Sequence, residues 1–376
     1  MSQARPGPDR STASDQPAAD RSPPDPRSLQ AVADLVTAVQ PADQATRAAV
    51  MARWDALAKP PGSLGRLESA VGRIAAASGV RTPRITEPTL LVCAADHGVH
   101  AQGVSAWPQA ITTAMTEVIA GGRAVTSAFA RSTGVAVTVL DVGCALEPAD
   151  TAKLRKARVR AGSADLALGP AMTPAQCVAA VLAGANVAEE LITSGTDLLA
   201  LGDMGIANTT ASAALVAACT GLPAAAVTGS GAGADATTVT RKATIVADAV
   251  ARLPSDAEPM AILAEVGGLE HAALVGAMLQ AAARRIPVVL DGVITNAAAL
   301  VAARMAPAVI DHLTAGHRSA EPGAAAALQA LGLDALLDLD LRLGEGSGAV
   351  LATSLLQAAV AALHETATIA ELSPPG

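Results

Sequence analysis

From Leu29 onward the apolar positions recur at helical spacing. SLQAVADLVTAVQ places Leu29, Val32, Leu35, Val36 and Val39 on one face, and RAAVMARWDAL continues the pattern until Pro60 and Pro61 break it. KPPGSLGRLE then predicts a rigid turn into another helix, with Ser63 as its cap. Beyond residue 88 the period changes. Short β-rich runs at 89–95, 135–143, 197–202, 223–229, 259–267 and 287–293 are separated by Ala-rich helical runs, the pattern of a parallel sheet covered by helices. Several of these strands end in Gly-containing loops, at 96–98, 202–205, 229–233, 267–270 and 291–292, where open α/β sheets gather their ligands. Near the C-terminus LLDLDLRLG alternates strictly. It predicts an extended segment with Leu337, Leu339, Leu341 and Leu343 facing inward, delivering Glu345 between Gly344 and Gly346. No period of 20 to 50 residues recurs, which argues against a solenoid.

Composition narrows the class. Hydrophobic residues make up 51% of the 376 positions and charged ones 16%, the balance of a folded chain, whereas residues 1–27 hold little that could repay ordering and are expected to be a disordered tail. Lys and Arg number 26 against 34 Asp and Glu, so the formal charge of −8 gives no field to draw the chain onto nucleic acid or anionic lipid. With two Trp, one Phe and no Tyr, the stacking platforms of single-strand binders are missing as well. Cys93, Cys144, Cys177 and Cys219 lie far apart in apolar runs, which predicts buried thiols in a reducing cytosol. The start MSQARPGPDR has no apolar centre of a secretory signal, and the longest uncharged stretch, 204–234, is interrupted by Asn, Thr, Pro and Gly. The expectation is a cytoplasmic protein with no membrane or nucleic-acid partner.

Some segments could carry chemistry. LLALGDMGIANTTASAALVAA reads as strand, Gly loop and helix, and the free N–H groups at such a helix start suit a phosphate or carboxylate; Asn208 or Thr209 could equally be plain caps. In AVTGSGAGAD the third of Gly229, Gly231 and Gly233 comes one place too early for GxGxxG, although Asp248 stands near the distance of a ribose partner. A flexible ligand loop and a simple turn both remain, and Lys242 could reach back to an anion or be solvated. Glu345, between two glycines, would gain the raised pKa of a general base if Leu343 and similar side chains desolvate it; a solvated Glu in a turn is the alternative. His97 and His100 beside Asp96 have weak metal spacing, no HExxH or paired-cysteine pattern supports them, and hydrogen-bonding roles are expected instead, with no metal. No GxSxG elbow is present.

KPPGSLGRLE (59–68), AADHGVHAQGVSAWPQ (94–109), GDMGIANTTASAAL (202–215), GGLEHAALVGAMLQAAARRIPVVLDG (267–292), HRSAEPG (317–323) and LRLGEGSGA (341–349) together resemble the nicotinate-nucleotide:dimethylbenzimidazole phosphoribosyltransferase family, in order and spacing and over nearly all of the chain after the tail. The resemblance implies transfer of phosphoribose from nicotinate mononucleotide to a benzimidazole nitrogen with inversion at C1′, needing neither metal nor cofactor. It makes Glu345 the general base. It assigns Gly202, Asp203, Gly205, Asn208, Thr209, Gly231, Gly233, Lys242, Ser319 and Gly344 to the nucleotide, and Gln109, Leu343, Ser105 and Met204 to the base. It further implies a Rossmann-like α/β main domain over 89–348, a smaller helical lobe combining 28–88 with a C-terminal helix in 349–376, and a homodimer. The chain departs from the family's usual Glu at Asp203, Gly at Ala207, aromatic at Val293, Tyr at Trp107 and Arg at Ser230. These departures motivate a rival reading, a catalytically silent nucleotide- or azole-binding paralogue with a regulatory or carrier role. A nicotinamide-dependent oxidoreductase would rest on GSGAG and Asp248 alone.

Overall fold

The computed structural model describes residues 23–372. The tail expected over 1–27 lies outside the described residues as far as residue 22, and a helix already begins at Pro26. Six strands form one sheet: β1 Pro88–Ala95, β2 Ala136–Gly143, β3 Leu154–Lys156, β4 Leu198–Met204, β5 Val288–Leu290 and β6 Leu313–Ala315. All pair in parallel in the order β3-β2-β1-β4-β5-β6, so the winding reverses between β1 and β4. β1 is buried at every position, as a central strand covered on both faces must be, which is why TLLVCAA is apolar throughout rather than alternating.

Two of the six expected strands are helices. Residues 223–229 contain the helix Ala224–Val227, and 259–267 contain Pro259–Val266. Both are Ala-rich, and Pro259 presets the helical φ at the first position, so local propensity favours a helix that a short apolar run cannot distinguish from a strand. The strands that replace them, β3 and β6, have three residues each and carry no periodic signal. The alternation at 337–343 is also overturned. Its register is broken at Asp340, whose φ of 55° lies in the left-handed region, and Leu339 and Leu343 are 55% and 49% exposed. The segment instead runs beside 317–320, with Arg318 N–H donating to Leu337 O and Ala320 N–H to Leu341 O.

Alternate side chains of β1 enter two apolar layers. Leu90, Val92 and Ala94 face the helices Gln44–Ala56, Arg66–Ser78, Val125–Thr133 and Ser347–Glu365. Leu91, Cys93 and Ala95 face Pro174–Thr193, Asn208–Thr220, Leu269–Ala283 and Val293–Met305. The first helix, Pro26–Ala38, packs Val32, Leu35 and Val39 into this second layer, while Leu29 stays outside the stripe at 46% exposed. The N-terminal helices are therefore divided between opposite faces. KPPGSLGRLE is closed by a Lys59–Glu68 ion pair at 2.7 Å and by Leu64 N–H donating to Glu68, so Gly65 rather than Ser63 precedes the helix Arg66–Ser78. Pro174–Thr193 and Ser347–Glu365 are apolar enough to span a bilayer by composition, but more than half of the most apolar stretch of each is buried inside the fold. Cys93, Cys144 and Cys177 are buried, and Cys219 is half-buried.

The closest helix crossing depends on two reciprocal glycines. A Cβ on Gly184 would stand 1.8 Å from Ala273 O, and one on Gly276 would stand 1.8 Å from Val181 O. Gly276→Ala should therefore force Pro174–Thr193 and Leu269–Ala283 apart and cost about 3 kcal/mol. Denaturant unfolding checks this, and an unchanged midpoint would refute the close crossing.

Candidate active site

A cavity of about 130 Å³ opens at the carboxyl ends of β4, β5 and β6. Asp203, Met204 and Gly205 enter it from β4, and Asn208 and Thr209 from the helix that follows. Gly231, Ser319, Leu343, Gly344 and Glu345 complete the set of expected residues on its walls. A neighbouring cavity of about 50 Å³ shares Gly205, Asn208 and Thr209 and adds Ser105 and Lys242. Gly202, Gly233 and Gln109 line neither. Gly202 instead lets β4 touch the last loop, since a Cβ there would lie 2.5 Å from Gly346 N. Gly233 is exposed, and Gln109 donates from Nε2 to the His97 carbonyl at 3.3 Å.

Glu345 is 6% exposed with its Oε2 unpartnered. Burial, reinforced by the neighbouring Asp291 carboxylate, pushes its pKa up to about 7, against an opposing hydrogen bond from Thr126 N–H in the first turn of helix Val125–Thr133. Its backbone has φ 61° between Gly344 at 79° and Gly346 at 80°. Three consecutive left-handed residues make a turn that only glycine adopts cheaply, and a Glu there carries strain of about 1–3 kcal/mol that its surroundings must hold. Asp291 supplies that hold. It is fully buried at the end of β5 and accepts from Gly346 N–H at 3.1 Å, Gly348 N–H at 2.7 Å and Ala349 N–H at 3.1 Å, capping the helix Ser347–Glu365.

Asp203 adds a third carboxyl. Burial first, and Asp291 next, hold its pKa well above the usual carboxylate range, opposed by Asn208 Nδ2, which donates to Oδ2 at 2.9 Å. Oδ1 has no partner and is left for a ligand. Asn208 thus serves Asp203 rather than capping its helix, whose preceding residue is Ala207 at φ 77°. At the other end of the cavity Lys242, 1% exposed, donates from Nζ to Thr209 Oγ1 and Gly229 O, both at 2.9 Å. Glu321 opposite accepts Gly231 N–H at 2.7 Å. The loop 229–233 follows a helix rather than a strand, and Asp248 lies exposed in Ala236–Val250, so the dinucleotide-loop reading fails on geometry.

The family model described as Phosphoribosyltransferase matches residues 39–373. The nicotinate-nucleotide--dimethylbenzimidazole phosphoribosyltransferase of Chloroflexus aggregans is 47% identical over 344 residues, 91% of this chain and 98% of that one. The enzyme of the same name from Thermus thermophilus is 50% identical over 312 residues, 83% of this chain and 93% of its own. The crystal structure of CobT from Thermus thermophilus is similar with a TM-score of 0.85 and 48% identity, over 88% of this chain and 99% of that chain. The chain belongs to this phosphoribosyltransferase family.

At the end of β1, near the cavity of this phosphoribosyltransferase, lies a buried network. Glu270 Oε1 lies 2.7 Å from His97 Nε2 and 2.9 Å from His271 Nδ1, and His271 Nε2 lies 2.8 Å from Ser212 Oγ. Burial alone would raise Glu270, but the two imidazoles hold it far below the usual carboxylate range, and Glu270 in turn raises His97. Among the described residues these three form the one His/carboxylate grouping close enough to share an ion, and His97 Nδ1 and Glu270 Oε2 have no hydrogen-bond partner. The pairing links His97 to residues 173 positions away, not to His100, which bonds the Trp107 carbonyl. Sequence reasoning missed Asp291, Glu321 and Glu270; the DG after β5 and the EPG of HRSAEPG were the available signals.

Asp203 and Glu345 both have native pKa values above their unfolded ones, so the native state keeps protons that the unfolded chain has already lost; stability falls as pH rises from the ordinary carboxylate range toward the native values, about 7 for Glu345, and levels off above them. Asp203→Asn removes one of these groups. It should unfold at a higher temperature than the wild type at pH 8, with the gap closing as pH falls into the ordinary carboxylate range. A gap that widens toward acid would contradict the assigned shift.

Proposed function

We propose that the chain transfers 5-phosphoribose from nicotinate mononucleotide to 5,6-dimethylbenzimidazole, releasing nicotinate and forming α-ribazole 5′-phosphate for the nucleotide loop of cobalamin. The names of its relatives support the reaction, and the observation that carries the mechanism is a buried, cavity-facing Glu345 with a pKa near 7. One ring nitrogen of the base attacks C1′ as the bond from C1′ to the nicotinate nitrogen breaks, and the electron pair leaves with nicotinate, neutralising its ring cation. The proton on the other ring nitrogen passes to Glu345. The carboxylate form needed for this grows as pH rises through about 7.

Lys242, Thr209 and Ser319 suit the 5′-phosphate, which an ammonium and hydroxyls recognise together. Gly202, Asp203, Gly205, Asn208 and Gly344 shape the ribotide pocket, with the unpartnered Oδ1 of Asp203 left for it. Leu343 and Met204, with Ser105 in the adjoining cavity, serve the flat base; Leu343 is 49% exposed on the cavity wall, an apolar face for the ring. In this reading the enzyme works as a cytoplasmic homodimer, without cofactor, nucleic acid or membrane. The lobe formed by the N-terminal helices Gln44–Ala56 and Arg66–Ser78 with the C-terminal helix backs the loop that carries Glu345.

Glu345→Gln keeps the shape and removes the base. Turnover of nicotinate mononucleotide and dimethylbenzimidazole to α-ribazole phosphate should fall about 10²- to 10⁴-fold with KM little changed. An unchanged kcat would remove Glu345 from that role.

A further inference from the structure

KPPGSLGRLE lies away from the cavity that holds Glu345, yet its Arg66 lines a second cavity of about 170 Å³. Arg47 enters from helix Gln44–Ala56, and Arg66, Ser69 and Arg73 enter from helix Arg66–Ser78. The facing wall is made by Thr314 of β6 and by Asp334. Among the described residues no carboxylate comes within 4.0 Å of any of the three guanidiniums. Arg66 and Arg73 each direct one N–H to a backbone carbonyl, of Ala335 and Ile310. Most of their five donors, and those of Arg47, are left for something else.

Guanidiniums stay charged at any relevant pH, and with Arg47 and Arg73 half-buried and Arg66 exposed, three like charges share one recess whose repulsion an anion would relieve. Burial and the closeness of Arg47 both disfavour the charged form of Arg73, and Asp311 and Asp334 only partly offset this. Asp311 also accepts Ala42 N–H at 3.2 Å through its Oδ2. Three guanidiniums against Asp334 on the wall and Asp311 nearby leave positive charge in excess. That excess suits a phosphate, whose oxygens match forked N–H donors. A concave recess of this size on a chain of net charge −8 does not suit a nucleic-acid backbone.

We propose that Arg47, Arg66 and Arg73 form a second anion site, separate from the cavity of Glu345, that takes a phosphate dianion, free or as a small monoester. The two cavities meet the same chain segments at different points. Thr314 and Asp334 line this one, and Ser319 and Leu343 line the other.

Titration calorimetry of the full chain at constant ionic strength tests this, with inorganic phosphate in one arm and ribose 5-phosphate in another. Ser69→Glu adds a carboxylate to the wall while leaving every guanidinium in place, and Arg47→Gln/Arg73→Gln removes two of the charges. Each variant should weaken one phosphate-binding event at least about tenfold, which is 1.4 kcal/mol, while Lys242→Gln retains that event. If only inorganic phosphate shows the effect, the ligand is the free ion; if ribose 5-phosphate binds more tightly, it is an ester. Phosphate binding unchanged in folded Ser69→Glu, lost entirely in Lys242→Gln, or matched by chloride at equal ionic strength would overturn the site.

Discussion

The Asp291 carboxylate is the constraint on which the site depends. It ends β5 in full burial and takes three backbone N–H groups from the start of helix Ser347–Glu365. Those bonds fix Gly346, and through it the left-handed turn that turns Glu345 toward the cavity. The same carboxylate lies near enough to Glu345 and Asp203 to raise both. One group thus does two jobs, holding a strained loop and biasing its neighbours toward the protonated state. The arrangement sacrifices stability for a carboxyl that titrates where a base is useful.

The sheet explains why these acids meet. With every strand parallel, all the carboxyl ends lie on one rim, and the reversal between β1 and β4 opens space there for a ligand. β4 supplies Asp203, β5 supplies Asp291, and the loop after β6 supplies Ser319 and Glu321. Gly202 permits the backbone contact that brings Gly346 against β4. Below the rim, the Glu270 pairings tie the DHG loop after β1 to helices Leu269–Ala283 and Asn208–Thr220, which gives the walls a charged but internally neutralised footing.

Much of this was legible in the chain and some was not, for physical reasons. β1, β2 and β4 are long, largely apolar and bounded by glycine-containing loops, so their pattern survives without tertiary information. Ala224–Val227 and Pro259–Val266 were read as strands because a short apolar run has no period of its own. Glu345 stood out through its glycines, whereas Asp291 looked like an ordinary strand-end residue, since its importance lies in amides 55 to 58 positions away. The departure at Ala207 gains a meaning only from the structure. Its φ of 77° is a conformation that glycine would adopt without strain. Asp340 hid in an alternating run and breaks its extended course by the same left-handed geometry.

The most direct test is a titration of the Glu345 carboxyl itself in the ligand-free chain, followed by carbon-13 NMR and assigned by difference from Glu345→Gln. A midpoint near 7, moving down when Asp291 is replaced by Asn, is the predicted result. A midpoint near 4.5, indifferent to residue 291, would contradict it.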